Sequence, residues 1–128
     1  MKYAFELTEN INLIIIIAQI DGYDVRLALD TSASDSVIDL TALMIAGYHK
    51  SNILEIVELK TAKGSIDADI YVIKEMKALG ITKNNFKIYS YDFLINGVLT
   101  EIDGVLGIDF FKSRKICIDF VNFEITIS

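Results

Sequence analysis

Residues 11–20 are dominated by isoleucine. A side chain forked at Cβ fits a pleated surface better than a helix, so this segment predicts a strand. Asp21-Gly22 supplies the positive backbone φ angles of a tight hairpin turn. Val25 to Leu29 then completes the hairpin and ends at Asp30. Beyond the polar stretch Thr31 to Ser36, Val37-Ile38-Asp39 predicts a short strand and Leu40 to Ala46 a short helix, with Gly47 placed to stop it. Ile53 to Lys60 and Ser65 to Val72 predict a long hairpin, and its tip around Thr61-Ala62-Lys63-Gly64 is small and polar and is expected to be mobile. Met76 to Ile81 and Phe86 to Phe93 predict two further strands, with Lys83-Asn84-Asn85 as the turn between them.

Gly97, Asp103 and Gly104 mark another loop. After it come Val105-Leu106-Gly107-Ile108-Asp109-Phe110-Phe111, where Asp109 is placed to N-cap one turn of helix. Ile116 to Phe120 and Glu124 to Ile127 predict a last hairpin turning at Val121-Asn122. The terminal strands, Tyr3 to Leu7 and Glu124 to Ile127, are expected to present open edges to a second chain. Many short strands with only one or two helices predict an all-β barrel or sandwich. No proline, low-complexity tract or polar linker divides residues 1–128, so one domain is expected.

Composition narrows the function classes. A net charge of −6, without any cluster of Lys or Arg, repels a polyanion and argues against nucleic acid as a partner. The apolar run Leu13 to Ala18 is far short of the ~20 residues a membrane-spanning helix needs, and Glu6 and Glu9 disagree with the basic start of a signal peptide. These features, with a lone Cys117 that has no internal disulfide partner, point to a reducing, cytoplasmic setting. Cys117 sits in the apolar alternation Ile116-Cys117-Ile118 and reads as a structural thiol, because the single His49, in a polar turn, shows no sign of serving it as a base.

No phosphate-cradling glycine loop, zinc-ligand spacing or nucleophile elbow occurs, which leaves carboxylate chemistry. Asp30 closes an apolar strand and is followed at once by small hydrogen-bonding residues, a setting that half-buries a carboxylate and holds it with hydroxyls and amides. Taken alone, the segment reads as an Asx-type turn after a strand.

Leu29-Asp30-Thr31-x-Ala33-Ser34, followed much later by Val105-Leu106-Gly107-Ile108-Asp109-Phe110, resembles the retropepsin-like aspartic proteases, and the order of elements is similar over most of the chain. That resemblance implies a closed acid-protease β-barrel with one or two short helices, forming half of a homodimeric site. Asp30 would be the catalytic carboxylate and would pair with Asp30 of a second copy, one of the two keeping a proton while the other activates a water. Thr31, Ser32, Ala33 and Gly107 would support the pair, Thr31 by bonding across the dimer axis and Gly107 by leaving room for the Asp30 loop. Ser34, Leu106 and the flap residues Ala62, Lys63 and Gly64 would contact an extended peptide or protein substrate. No metal or cofactor is implied. On their own, Gly107 reads as a turn before a helix and the 61–65 tip as an ordinary hairpin end.

One residue departs from the family pattern: Ser32 stands where the motif has glycine, and a side chain there crowds the site. A retuned enzyme and a disabled one both fit that change. The functional readings are therefore a homodimeric aspartic endopeptidase, a non-catalytic dimeric barrel of the same fold that binds or scaffolds a peptide, and a small barrel of an unrelated binding family. The remaining acids, among them Asp39 and Asp103, are expected in turns or on solvent-facing strand positions.

Overall fold

A computed structural model describes residues 1–8, 13–61, 64–97 and 101–128. Strands β3 (Ile14–Ile20) and β4 (Tyr23–Leu29) form the expected hairpin, turning at Asp21 (φ 48) and Gly22 (φ 87). β5 (Val37–Asp39) leads directly into helix α1 (Leu40–Ile45), which Gly47 ends at φ 99. A turn of 3-10 helix at Lys50–Asn52 precedes β6 (Glu55–Thr61) and β7 (Gly64–Ala78), and β8 (Ile81–Tyr91) pairs along almost the whole of β7.

Here the chain differs from expectation. Met76 to Ile81 is not a separate strand, because β7 continues to Ala78 and turns back at Leu79 (φ 52) and Gly80 (φ 74). Lys83-Asn84-Asn85 lies inside β8, and not in a turn, although Asn85 does adopt the positive φ of 54 that asparagine tolerates. A leucine in the left-handed region costs roughly 1–2 kcal/mol. The Leu79 side chain is buried, and one constant register from Asp69↔Ser90 to Ala78↔Ile81, interrupted at Lys74 and Asn85, offsets that cost.

β9 (Gly104–Leu106) runs parallel to β4 and antiparallel to β5, so Gly104, expected in a loop, is a strand residue wedged against Val37. β5 in turn runs parallel to β8. The order β3-β4-β9-β5-β8-β7 closes on itself through Gln19↔Lys77 and Ile20↔Met76, giving a six-stranded ring from which β2 (Glu6–Leu7) and β6 extend. Its interior holds Leu27, Ile38, Leu43, Tyr71, Ile73, Met76, Ile81, Ile88 and Phe110, all fully buried. Burial of each large apolar side chain contributes about 1.5–3 kcal/mol.

A separate three-stranded sheet has the order β1 (Lys2–Ala4), β11 (Glu124–Ile127), β10 (Ile116–Asp119). β11 is therefore the central strand, with both edges paired inside the chain, contrary to the open edge expected there. The open edges belong to β1 and β10.

Candidate active site

Buried Leu27, Ala28 and Leu29 pin the end of β4 between β3 and β9, and this fixes where Asp30 emerges. The Asp30 N–H donates to Leu106 C=O at 3.0 Å, continuing the β4–β9 ladder by one bond, and Ala33 N–H closes a tight turn on Asp30 C=O at 3.2 Å. The Asp30 side chain is half-buried. Its Oδ1 accepts two bonds from Ser32, from the backbone N–H at 2.9 Å and from the hydroxyl at 2.5 Å. Its Oδ2 accepts no hydrogen bond among the described residues.

The far side of the loop is tied to the segment after β9. Ile108 N–H donates to Ala33 C=O at 2.9 Å. The fully buried Ser36 accepts from Gly107 N–H at 3.0 Å and donates its hydroxyl to Asp109 Oδ1 at 2.7 Å, while its own N–H reaches Asp109 Oδ2 at 2.9 Å. At Gly107 a Cβ would stand 2.7 Å from Ala33 O and 2.9 Å from Asp35 C, both backbone atoms that cannot swing aside. Since Gly107 has an ordinary φ of −89, close approach and not backbone conformation excludes a side chain.

The sequence does not reveal the roles of two residues of this arrangement. Ser36 reads there as one more polar loop residue. Asp109 was expected to cap a helix, but Gly107 is the N-cap of the 3-10 turn Ile108–Phe111, and the Asp109 carboxylate faces Ser36 instead. The available signal is spacing: an aspartate two residues after a strand-ending glycine lies within reach of whatever crosses that glycine.

Of the other residues expected at the site, Thr31, Ser32 and Ser34 are exposed, and Ser34 donates to Asp35 at 3.1 Å. The Leu106 side chain is fully buried in the core, and its carbonyl is what the Asp30 loop uses. Gly64 begins β7 at φ 119, paired with Thr61, whereas Ala62 and Lys63 lie outside the described residues.

The remaining acids serve structure more than expected. Half-buried Asp103 exchanges bonds with the Arg26 backbone at 2.7 and 2.8 Å and accepts Asp39 N–H at 2.7 Å, while Asp39 Oδ1 accepts Phe93 N–H at 3.0 Å. Burial, reinforced by the Asp39 charge, raises the Tyr91 hydroxyl pKa. Asp119 folds over its own turn, and its carboxyl titrates below the usual range because the Asn122 amide, then the Asn122 and Val121 N–H groups, bond the ionised form. Among the described residues no second carboxylate bonds to Asp30. One chain thus presents one carboxylate, with one oxygen held and the other open.

Solved structures share this arrangement of strands. A retropepsin-like aspartic protease from Rickettsia conorii superposes with a TM-score of 0.73 at 18% identity, covering 99% of this chain and 90% of that one. The EIAV protease, in complex with the inhibitor HBY-793, superposes with a TM-score of 0.60 at 16% identity, covering 83% of this chain and 92% of that one. At such identities the likeness is one of fold, and the fold is retropepsin-like. No curated protein sequence matches the chain. The family profile described as aspartyl protease aligns with residues 16–110, from the middle of β3 through the Asp30 turn to the buried Phe110. The segments that build the Asp30 loop and its Gly107 support therefore fall within that match, and the chain belongs to the aspartyl protease family.

Proposed function

We propose that this chain is an aspartic endopeptidase that hydrolyses peptide bonds as a homodimer, with Asp30 from each copy sharing one site. The observation that carries the reading is the half-held carboxylate: Oδ1 is fixed by Ser32 while Oδ2 remains open on an exposed loop. Two carboxylates brought within a few ångströms cannot both ionise cheaply, so one keeps its proton. The ionised partner takes a proton from a bound water as it attacks the scissile carbonyl, and the protonated partner donates to the carbonyl oxygen. The water adds directly, so no covalent acyl-enzyme forms.

In the same proposal Thr31 bonds across the two-fold axis and Ser34 faces the peptide backbone. The β6–β7 hairpin closes as a flap over a substrate held extended, excluding water as it does so. A reducing, cytoplasmic setting belongs to the proposal too, supported by the single exposed thiol Cys117.

The test is cleavage of a broad peptide library by the purified protein between about pH 4 and 7, alongside Asp30→Asn, which should lose at least ~100-fold in rate. Equal turnover by the mutant overturns the assignment of Asp30. Peptide binding without hydrolysis in the wild type, retained by Asp30→Asn, selects the non-catalytic reading.

A further inference from the structure

The eight-stranded sheet ends on β6, a seven-residue strand paired only with β7, whereas its other edge, β2, is two residues long. Ile70 C=O accepts Leu54 N–H at 2.7 Å, and Tyr89 N–H turns away from Ile70 to Ser36 C=O at 3.1 Å, so Ile70 bonds towards β6. Antiparallel ladders alternate, so Glu55, Val57 and Leu59 bond to β7, and Ile56, Glu58 and Lys60 turn their N–H and C=O groups to the open edge. An edge of this length is a template for an extended peptide to add as a further strand.

The face on which Ile56, Glu58 and Lys60 lie selects what can join. Glu58 stands directly opposite Asp67, and Ile56 directly opposite the half-buried Asp69. Like charges in that position destabilise a hairpin, and none of these three carboxylates has an ion-pair partner among the described residues. Ile56, between them, is 63% exposed. The imbalance is regional: residues 30–36 and 54–70, the Asp30 loop and the β6–β7 hairpin, hold six acids and two bases, a net of −4 out of the chain's −6. A second copy would bring the same acidic surface and be repelled, whereas a cationic strand neutralises it.

We propose that the β6 edge takes up an extended, lysine- or arginine-bearing segment of a peptide substrate as an added antiparallel strand, beside the flap and not beneath it. This rests on the peptidase reading above and deepens it by naming cationic peptides as the substrate class. A basic residue of the segment pairs with Glu58, exchanging N–H and C=O bonds with it, and its side chain reaches Glu58 and Asp67 on the outer face. Two positions towards its C-terminus an apolar residue faces Ile56, and two positions towards its N-terminus a polar one faces Lys60.

The probe is a fluorescein-labelled peptide built on Gln-Ser-Lys-Ser-Leu, titrated with the full-length protein at low salt and followed by anisotropy. It should bind at least ~10-fold more tightly than its glutamate-for-lysine counterpart, which meets like charge on the hairpin. Methylating the lysine backbone nitrogen, which faces Glu58 C=O, should remove binding; methylating the serine nitrogens, which face away from β6, should leave it. Glu58→Gln combined with Asp67→Asn should lose the preference for lysine over glutamate. Appended to a peptide that the protein cleaves, the lysine tract should lower KM by roughly tenfold relative to the glutamate tract and leave kcat unchanged, the signature of binding outside the reacting centre.

Equal binding of the two peptides, indifference to the methylated lysine nitrogen, or a preference that survives the double variant overturns the edge assignment and leaves Asp30-dependent cleavage standing. Displacement of the probe as protein concentration rises puts a second copy on the edge and overturns it as well. Binding as expected with KM unmoved by the tract overturns the substrate assignment. Binding as expected with no peptide cleaved leaves the edge site standing and overturns the peptidase reading.

Discussion

Two aspartates bracket β4, and they are held in opposite ways. Asp21, in the hairpin turn at its start, has both carboxylate oxygens occupied: Tyr48 donates its hydroxyl to Oδ2 at 2.6 Å and Glu75 its N–H to Oδ1 at 3.0 Å. The Asp21 N–H returns a bond to Glu75 C=O at 2.9 Å, and Lys74 N–H donates to the Tyr48 oxygen at 2.9 Å, so the turn is fastened to β7 by a closed set of partners. Asp30, at the other end, draws its side-chain bonds among the described residues only from Ser32, two residues away, and only on one oxygen. Asp109 resembles Asp21, with both oxygens on Ser36. Asp21 and Asp109 are thus saturated by partners distant in sequence. Asp30 has its backbone fixed by distant Leu106 while, among the described residues, one carboxylate oxygen stays open, the arrangement the proposed chemistry needs.

The largest expected effect separates the two aspartates directly. Asp30→Asn should abolish peptidase activity while leaving the melting temperature nearly unchanged, since the amide oxygen still accepts from Ser32. Asp21→Asn should do the reverse: an amide nitrogen facing a donor strands a part-buried group, costing about 1–3 kcal/mol, or roughly 5–10 °C in Tm. Thermal melts and peptide turnover on the two variants check this, and a loss of stability in Asp30→Asn as large as that in Asp21→Asn would erase the contrast.

Next in size is Gly107→Ala. A methyl group 2.7 Å from Ala33 O forces the Asp30 loop away from β9, an overpacking cost of about 1–3 kcal/mol. Activity should fall by more than the stability loss explains, because the displaced backbone carries the Asp30–Leu106 bond. Urea titration paired with turnover at a temperature well below Tm distinguishes the two effects.

How much of this was legible follows from where the information lies. The β3–β4 hairpin, β5 and α1 were readable because Asp21-Gly22 and Gly47 have turn chemistry of their own and the apolar runs between them are long. The return at Leu79-Gly80 was not, because leucine carries no turn signal while Asn84-Asn85 carries a strong one; pairing of β7 with β8 decided the matter through partners remote in sequence. Asp30, Ala33 and Gly107 could be named because a two-part motif marks them. Ser36 could not, since what distinguishes it is burial between two segments that meet only in the folded chain. The saturation of β11 was hidden for the same reason: strand order is a property of the assembled sheet.

A smaller effect tests the Asp21 end by pH. The Tyr48 hydroxyl is pushed up to about 12 by burial and by its bond to Asp21. A folded-state pKa above the usual tyrosine value means that the neutral phenol is favoured by the fold. Its stabilisation is full below about pH 10 and is lost as pH rises to about 12, an amount on the order of 2 kcal/mol. Tyr48→Phe should be less stable than wild type at neutral pH by about 1–3 kcal/mol, because it leaves Lys74 N–H and Asp21 Oδ2 without their partner. That deficit should shrink across the alkaline range, and a constant one would show that the phenol proton is not what holds the turn.

The smallest effect bears on the Asp30 end, where Ser32 replaces the glycine of the family pattern. Ser32→Gly keeps the backbone N–H on Asp30 Oδ1 but removes the hydroxyl bond, and it frees the unfolded chain, so stability should fall by about 1 kcal/mol. Activity should move the other way, by no more than about tenfold in kcat/KM, because a peptide backbone laid over the loop no longer meets a side chain there. Ser32→Ala separates the contributions: it loses the hydroxyl bond but keeps a Cβ, so it should share the stability loss without the gain in rate. If Ser32→Gly and Ser32→Ala lose activity together, the hydroxyl itself belongs to the working site, and the half-held carboxylate at the end of β4 is a tuned one and not a crowded one.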